Sequence, residues 1–444
     1  MASADPTSIA GKAFPLQGHF DHLVVGAGAA GIAAARAAAA SGAKTLLVDE
    51  HPLDPGLFGL DIPYLFGARF DAGIGTAARM EERIVAARPG LLDAMEEGVE
   101  VRLGTAAWGG FAKGPASRVF PKPVVGLADR EAASLVSCDR ITLALGARDV
   151  VLPFAGWALP GVMGAQGFDA LLRLYGAFSG RRVVVIGGGA MADDALAAAR
   201  AAGLAIAGHI ATPTSVRIEG RDAVSGVSWR DDTTWQEVAC DTVVMAVDTV
   251  PMVDLADLLG CPITWDAARG GFVAAGRAPV VVVGDAAGTA PAQRGAWLDL
   301  AMAEDHAVVC ACEDVTAGDL RALRPPRYLD AAGPAAGLAA LGPPNQDQVK
   351  RLTRAGMGPC QGRRCRESVH ALLSRDRPAP PASYRAPLRP LPLAVLAALE
   401  EDPALRANWT GWFGIAAQWL PHWDPVPENP EFIGGRLSGG DVVK

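Results

Sequence analysis

Residues 22–50 read HLVVGAGAAGIAAARAAAASGAKTLLVDE. Leu23 to Val25 have the apolar run of a short buried strand, closed by Gly26. Gly26, Gly28 and Gly31 supply G-x-G-x-x-G, and an alanine-rich helix, Gly42 and a second strand, Thr45 to Val48, follow. Glu50 stands just past that second strand. Strand, glycine turn, helix, strand and acid in this order predict a dinucleotide-binding unit. Gly26 permits the tight turn, Gly28 lets backbone approach a pyrophosphate, and Gly31 lets the helix lie close on the sheet. The helix N-terminus offers unpaired N–H groups to phosphate. Glu50 would accept hydrogen bonds from a ribose diol, which favours FAD or NAD over a 2′-phosphorylated nucleotide. The bland alternative is a glycine turn that only packs a helix, and the complete context weighs against it.

The theme recurs in RRVVVIGGGAMADDALAAARAAGLAIAGHI, residues 181–210. Val183 to Ile186 read as a strand and Gly187, Gly188 and Gly189 as the turn, but Ala192 or a neighbour replaces the final glycine. No clear acid follows the next strand, so this second fold either holds a nucleotide or keeps a decayed site for packing. Between the two lies a strand over Arg140 to Ala147 that ends at Gly146. Further on, RAPVVVVGDAAG gives a strand, then Gly284 and Asp285 before a helix. Asp285 suits a ribityl hydroxyl or the phosphate contacts; alone it would read as a helix cap. The order implies two interleaved α/β nucleotide folds, residues 21–150 resumed at 262–308, with 151–261 inserted. Here the first fingerprint, LALGAR and VVVVGDAAG resemble the disulfide-reductase-like flavoproteins, which carry two dinucleotide-binding domains.

Four of the seven cysteines sit at two tight spacings: Cys310 and Cys312 in VVCACEDVTAGDL, Cys360 and Cys365 in KRLTRAGMGPCQGRRCRESVHALL. Four thiolates on two short loops can close around a [2Fe–2S] centre, two on each iron. Zinc accepts the same donors, and spacing alone leaves zinc and free or disulfide-linked thiols open. Gly356, Gly358 and Gly362 allow backbone to approach sulfur, and Arg354, Arg363, Arg364 and Arg366 offset thiolate charge. Thr316 could start a helix after the first arm, and Arg366 a short helix after the second. Cys138, Cys240 and Cys261 lie among apolar neighbours and read as core cysteines.

CACEDVT followed by QVKRLTRAGMGPCQGRRC resembles the bacterioferritin-associated-ferredoxin-like (BFD-like) [2Fe–2S] module. That module is fused to the flavoprotein fold in alpha subunits of the opine oxidase, hydrogen cyanide synthase and hydroxyproline or proline dehydrogenase family. The alpha subunit of heterotetrameric sarcosine oxidase is a larger relative. LPFAGWALPGVM and DTVVMAVDTVPMVDLADLLGCPITWDAARGGFV are similar to the same family, over roughly residues 20–385. The resemblance implies FAD at Gly26, Gly28, Gly31, Glu50, Gly146, Gly284 and Asp285. It implies a candidate second nucleotide, NAD or ATP, at Gly187 and Gly189, and cluster ligands at Cys310, Cys312, Cys360 and Cys365. It also implies a beta-like, FAD-containing amine-oxidising partner, optionally a further small subunit, and an external electron acceptor. The sequence departs from the family where HPLDPGLFGLDIPYLFGARF echoes a Pro-Gly-Gly-Gln stretch only at Pro55 and Gly56. It departs again at Ala144-Leu145-Gly146, which lacks the usual threonine hydroxyl, and in a Pro- and Gly-rich insertion at 324–344.

The wider sequence bounds these readings. The 444 residues are 50% hydrophobic and 20% charged, enough for several packed units. A net charge of -8 argues against a general nucleic-acid binder. The 52 glycines and 33 prolines follow no period, which excludes a collagen-like chain. Few cysteines argue for a reducing, cytoplasmic setting, with peripheral membrane contact only through a complex. Residues 1–20 read as a loose leader without a secretory pattern, and no apolar stretch reaches membrane-spanning length. The module at 309–378 gives way to a Pro-rich segment and a tail, 379–444, with Trp409, Trp412, Trp419 and Trp423. Such a density of rings suits a contact between subunits, packing on the chain itself, or substrate or quinone contact. His19 and His22 precede the first strand, and His306 falls on the helix before the cysteines. No catalytic base is assigned. Three functions compete: an electron-transfer subunit of a flavin-dependent amine, imino-acid or opine dehydrogenase or oxidase, a self-contained NAD(P)H-dependent ferredoxin-type reductase, and a scaffold with degenerate cofactor sites.

Overall fold

The computed structural model describes residues 15–57, 67–112, 120, 122–266, 271–288, 294–325, 345–374 and 381–400. The tryptophan-rich tail and residues 326–344 of the insertion lie outside the described residues.

A first sheet is built from β1 (His19–Val25), β2 (Thr45–Val48), β3 (Glu100–Arg102), β4 (Ala106–Phe111), β5 (Val124–Ala128) and β6 (Ala133–Leu143), in the spatial order β3-β2-β1-β6-β5-β4. β1 runs parallel to β2 and β6, with helix Ala29–Ala40 as the crossover between β1 and β2. The buried faces are continuous apolar runs, as both-sided burial of a parallel sheet requires: Leu23, Val24, Leu46, Leu47 and Val48 are all fully covered. On the side away from β1, β6 is long enough to serve two neighbours. Its first half pairs antiparallel with β5, and Ile141 to Leu143 pair parallel with a strand from much later in the chain.

The chain then leaves this sheet. β7 (Ala147–Asp149) leads to a second, wholly parallel sheet. Its strands are β8 (Val162–Gly164), β9 (Arg182–Ile186) and β10 (Ala205–Ile210), with an antiparallel meander β11 (Ser215–Gly220), β12 (Val224–Asp231) and β13 (Thr234–Ala239) before β14 (Thr242–Met245) completes the order β10-β9-β14-β8. β15 (Thr249–Pro251) pairs with β7, making a two-stranded return path. After the hairpin β16 (Ile263–Asp266) and β17 (Gly271–Ala274), β18 (Val280–Val282) rejoins the first sheet beside β6. The short pair β19 (Val308–Cys310) and β20 (Val315–Thr316) then opens the cysteine-bearing region with helices Ala317–Arg321, Gln346–Thr353 and Arg366–Leu373.

That region shares its core with the second sheet. Cys310, Val315, Leu320, Val349, Cys365 and Val369 pack in one cluster with Val151, Trp157 and Trp297. The Trp157 indole N–H donates to Val308 O at 2.7 Å. Residues 381–400 run back over the first sheet, where Leu388 N–H donates to Trp108 O at 2.7 Å and Val395 packs with Trp108 and Phe120.

Two readings of the sequence need correction. His19 and His22 lie on β1, because that strand is lengthened by pairing with β6 from His19 onward. His306 stands beyond helix Arg294–Ala301, which ends before it, so it is not on that helix. Among the described residues no helix is long and apolar enough to cross a membrane.

Candidate functional site

Register aligns the carboxyl ends of four strands. Val25 sits beside Val48 and Leu143, and Leu143 beside Val282. The next residues of each strand, Gly26, Asp49 and Glu50, Ala144 to Gly146, and Val283 to Asp285, therefore gather at one sheet edge, the place where open α/β sheets bind ligands. Gly26 is held at φ +104°, and a Cβ there would lie 2.1 Å from Ala144 O. A Cβ on Gly31 would lie 1.8 Å from Gly26 O, so the helix rests directly on the turn. Gly28 has no heavy atom within 4 Å of its missing Cβ: it faces open space at the helix N-terminus. That terminus has no side-chain cap and no acid in its first turn, leaving its N–H groups to an outside anion. These features fit a bound pyrophosphate.

The two acids after β2 divide their work. Asp49 is buried; its Oδ2 accepts from Ala27 N at 2.7 Å and pairs with Arg88 at 3.0 Å. Burial alone would raise its pKa, but Arg88, His51 and the backbone N–H groups of Ala27 and His51 outweigh burial and hold it below the usual carboxylate range. Asp49 thus braces the glycine turn from beneath, a role that sequence reasoning missed. Glu50 instead borders a cleft of about 1120 Å³ and pairs with Arg389 at 2.6 Å. Asp285 borders the same cleft, at the start of the short turn Gly284–Ala287, with Gly284 at φ +65°. Gly146, at φ +72°, begins the exit toward the second sheet, and its carbonyl accepts from Met252 N.

The second glycine turn faces this cleft through Gly188 and Gly189. Gly187 repeats the first contact: its missing Cβ would lie 2.0 Å from Ala246 O. Ala192, fully buried, stands where Gly31 stands in the first fold, and Asp193 and Asp194 are exposed on the helix that follows. Asp149 caps the helix opening after β8 through the backbone N–H groups of Gln166 and Gly167. Burial, against those two hydrogen bonds, pushes its pKa up to about 7.

Cys310, Cys360 and Cys365 are buried and Cys312 is partly exposed. Their side chains meet as two pairs, Cys310 with Cys365 and Cys312 with Cys360, each joining one sulfur from either arm. Cys310 accepts a hydrogen bond from Cys365 and lies low, at about 7, with the Gly356 and Glu313 backbones adding support against burial. Cys360 accepts from Cys312 and is held at about 5, against burial, with help from backbone at Arg364 and Gly362 and the charge of Arg364. The loop permits this crowding through its glycines: a Cβ on Gly358 would lie 2.3 Å from Cys312 Cβ, and Gly356 and Gly362 have φ of +83° and +82°. Thr316 caps the helix after the first arm in a reciprocal capping box with Asp319, and Arg366 begins the helix after the second. Cys138, Cys240 and Cys261 are buried elsewhere, and burial raises each thiol. Arg148, beside the first exit, joins the two regions by donating to Arg363 O at 3.0 Å and pairing with Glu367.

Residues 20–208 match the family model for pyridine nucleotide-disulphide oxidoreductases. The chain is 27% identical to an opine oxidase subunit of Agrobacterium tumefaciens (strain Ach5), over 86% of this chain and 92% of that protein. It is 26% identical to the corresponding opine oxidase subunit of Rhizobium meliloti (strain 1021), over 86% and 99% respectively. A stretch covering 61% of this chain is 28% identical to 29% of the longer sarcosine oxidase alpha subunit of Rhizobium meliloti (strain 1021). Among solved structures, L-proline dehydrogenase from P. horikoshii superposes with a TM-score of 0.60 at 18% identity, covering 86% of this chain and 80% of that one. The extent of these likenesses leads to one conclusion: the chain is an oxidoreductase of the flavoprotein disulfide-reductase fold, similar over most of its length to these opine oxidase subunits.

Proposed function

We propose that this chain is the FAD- and [2Fe–2S]-containing electron-transfer subunit of a heteromeric dehydrogenase or oxidase acting on an amine, imino acid or opine. When bound, FAD supplies two-electron acceptance and a [2Fe–2S] centre one-electron transfer, so the pair converts hydride chemistry into single-electron steps. Gly26, Gly28 and Gly31 would admit the FAD pyrophosphate, Asp49 would hold the turn in place, and Glu50 would accept from the ribose. Asp285 faces the same cleft, where it would meet the ribityl or phosphate portion.

The observation that carries the reading is the arrangement of the four sulfurs. Among the described residues, the one set of three or more candidate ligand atoms within 4.8 Å of one another is His19, Asp21 and Asp139, so no three of the four sulfurs gather that closely. A tetrahedral zinc would draw all four to about 3.8 Å of one another, from its usual Zn–S bond length. Two contacting pairs, each fed by backbone N–H groups, instead favour two metals with two thiolates each. Gln361, Arg363 and Arg366, close in sequence to Cys360 and Cys365, border the cleft, which supports a centre near the flavin.

The partner belongs to the same proposal: the likeness to opine oxidase subunits over most of the chain supports it, and substrate oxidation is assigned to a separate, beta-like flavoprotein subunit. The Trp-rich tail, 401–444, is proposed to contribute to that contact. A second reading, a self-contained NAD(P)H-dependent reductase, draws on Gly188 and Gly189 opening onto the same cleft.

Anaerobic absorption and electron paramagnetic resonance spectra, with iron, sulfide, zinc and flavin analysis, test the proposal on the full chain. Equal iron and acid-labile sulfide with FAD are expected; zinc in place of iron defeats the cluster. Cys360→Ser should remove the iron signal while Cys138→Ser keeps it. The isolated chain should not oxidise amines until its partner is added. Rapid NADH oxidation by the isolated chain with an artificial acceptor would favour the second reading.

A further inference from the structure

Glu50 is not solitary at the edge of the cleft. Arg389, from the other end of the chain, donates through Nε to Glu50 Oε2 at 2.6 Å and through Nη1 to Asp254 Oδ2 at 3.1 Å. Its guanidinium is nearly buried, with 12% of the side chain exposed, between two partly covered carboxylates. Among the described residues, the other oxygen of Glu50 accepts no hydrogen bond. The carboxylate is therefore gripped through one oxygen at the border of the cleft.

The segment that carries Arg389 is tied at both ends. Near its start, Ala382 N–H donates to Gln346 Oε1 at 2.6 Å, Ser383 N–H to Asp347 Oδ2 at 3.1 Å, and Tyr384 N–H to Asp257 Oδ2 at 3.2 Å. Past Arg389, Val395 is buried against Trp108 and Phe120. Residues 383–385 and 387–389 border the cleft between these anchors. The segment is thus a strap that joins the cysteine-bearing helices to the rim of the first nucleotide fold.

We infer that Arg389 is a positioning residue for the adenosine half of FAD, and that through it the strap 381–400 is coupled to cofactor occupancy. The inference rests on the FAD reading above. A glutamate side chain has several rotors to freeze before it can meet a ribose diol, and a fixed guanidinium fork freezes them in advance. The ligand then meets a carboxylate already aimed. Whatever free energy the docked strap adds to FAD binding, bound FAD must return to strap docking, since coupling between two sites is reciprocal.

The full-length chain, stripped of flavin and titrated with FAD by flavin fluorescence, provides the test. R389Q should weaken FAD binding about tenfold, the scale of one charge-assisted hydrogen bond, and R389K should recover part of the loss. Because Arg389 acts through Glu50, R389Q added to E50Q should cost nothing further in a double-mutant cycle. Wild-type affinity in R389Q, or fully additive losses in the double variant, would overturn the inference. Hydrogen exchange at the Leu388 amide of the unmutated chain gives a check that needs no substitution: FAD should slow it, and unchanged exchange would sever the strap from the site. A wild-type chain that takes up no FAD would instead bring down the cofactor reading itself, an outcome distinct from an affinity unchanged by R389Q.

Discussion

The turn Gly26–Gly31 and the turn Gly187–Ala192 start from the same construction and diverge within five residues. In each, the first glycine is pressed against the carbonyl of the alanine that follows the neighbouring strand, Ala144 in one and Ala246 in the other. In each, that alanine's N–H closes the sheet edge, donating to Val25 O at 2.8 Å and to Ile186 O at 2.7 Å. The first fold then adds a third glycine, which lets its helix touch the turn, and a buried aspartate that holds the turn from below. The second houses the Cβ of Ala192, fully buried, at the corresponding position. Ala211 follows its second strand where Asp49 follows the first. A histidine takes over part of the bracing, with His209 Nε2 at 2.9 Å from Gly187 O. The glycine-to-carbonyl contact is thus what the sheet needs in order to turn into a helix, whereas the third glycine and the buried aspartate set how closely the first helix and its turn are held.

This contrast can be broken or sharpened. Gly31→Val should be the most damaging change, about 4 kcal/mol in stability with loss of FAD, because no atom can occupy a point 1.8 Å from a backbone oxygen. Thermal unfolding and flavin content read both effects; a folded, flavin-loaded variant would mean that the helix contact is dispensable. Asp49→Asn follows, at about 3 kcal/mol, since it strips the partner from a largely buried guanidinium. Chemical denaturation would show it. The reciprocal change in the second fold, Ala192→Gly, should cost only about 1 kcal/mol of helix propensity and bring no FAD to that turn. His209→Ala, which deletes one hydrogen bond, should cost about 1 kcal/mol or less by the same denaturation measurement.

The two buried aspartates divide the pH axis as well. Asp49 has a lowered folded pKa, so its stabilisation is complete above the unfolded carboxylate range and is lost as pH falls below about 4. Asp149 runs the other way, with a folded pKa of about 7. Between about pH 4 and 7 the unfolded chain gives up this proton while the folded chain keeps it, so stability declines as pH rises and then levels. Urea midpoints across that interval should flatten in Asp149→Asn, which keeps an acceptor for Gln166 and Gly167 but has no proton to lose. Asp49→Asn should leave that slope intact and remove part of the acid-side loss.

Much of this was readable before the chain folded, and the reasons are local. The apolar run Thr45 to Val48 is the observed β2, residue for residue, because a strand buried on both faces needs no partner-dependent alternation to be recognised. Thr316 caps its helix because the capping aspartate is three residues away. His19 was misread because only pairing with Ser137, far along the chain, extends the first strand that far.

By itself, then, the order of residues determined the two glycine turns, the strands that flank them, and the two cysteine arms, since each depends on backbone freedom and apolar burial within a few residues. Tertiary structure alone decided which acid braces the turn and which faces the cleft. Asp49 and Glu50 are adjacent carboxylates with the same chemistry just past β2, and only their packing, Asp49 with Ala27 and Arg88 and Glu50 with Arg389, separates them. It also decided that sulfurs from the two arms meet crosswise and that a strap from residue 381 onward reaches Glu50. Those contacts join segments far apart in the chain, and their pairing is set by how the sheets and helices pack, which no short run of sequence contains.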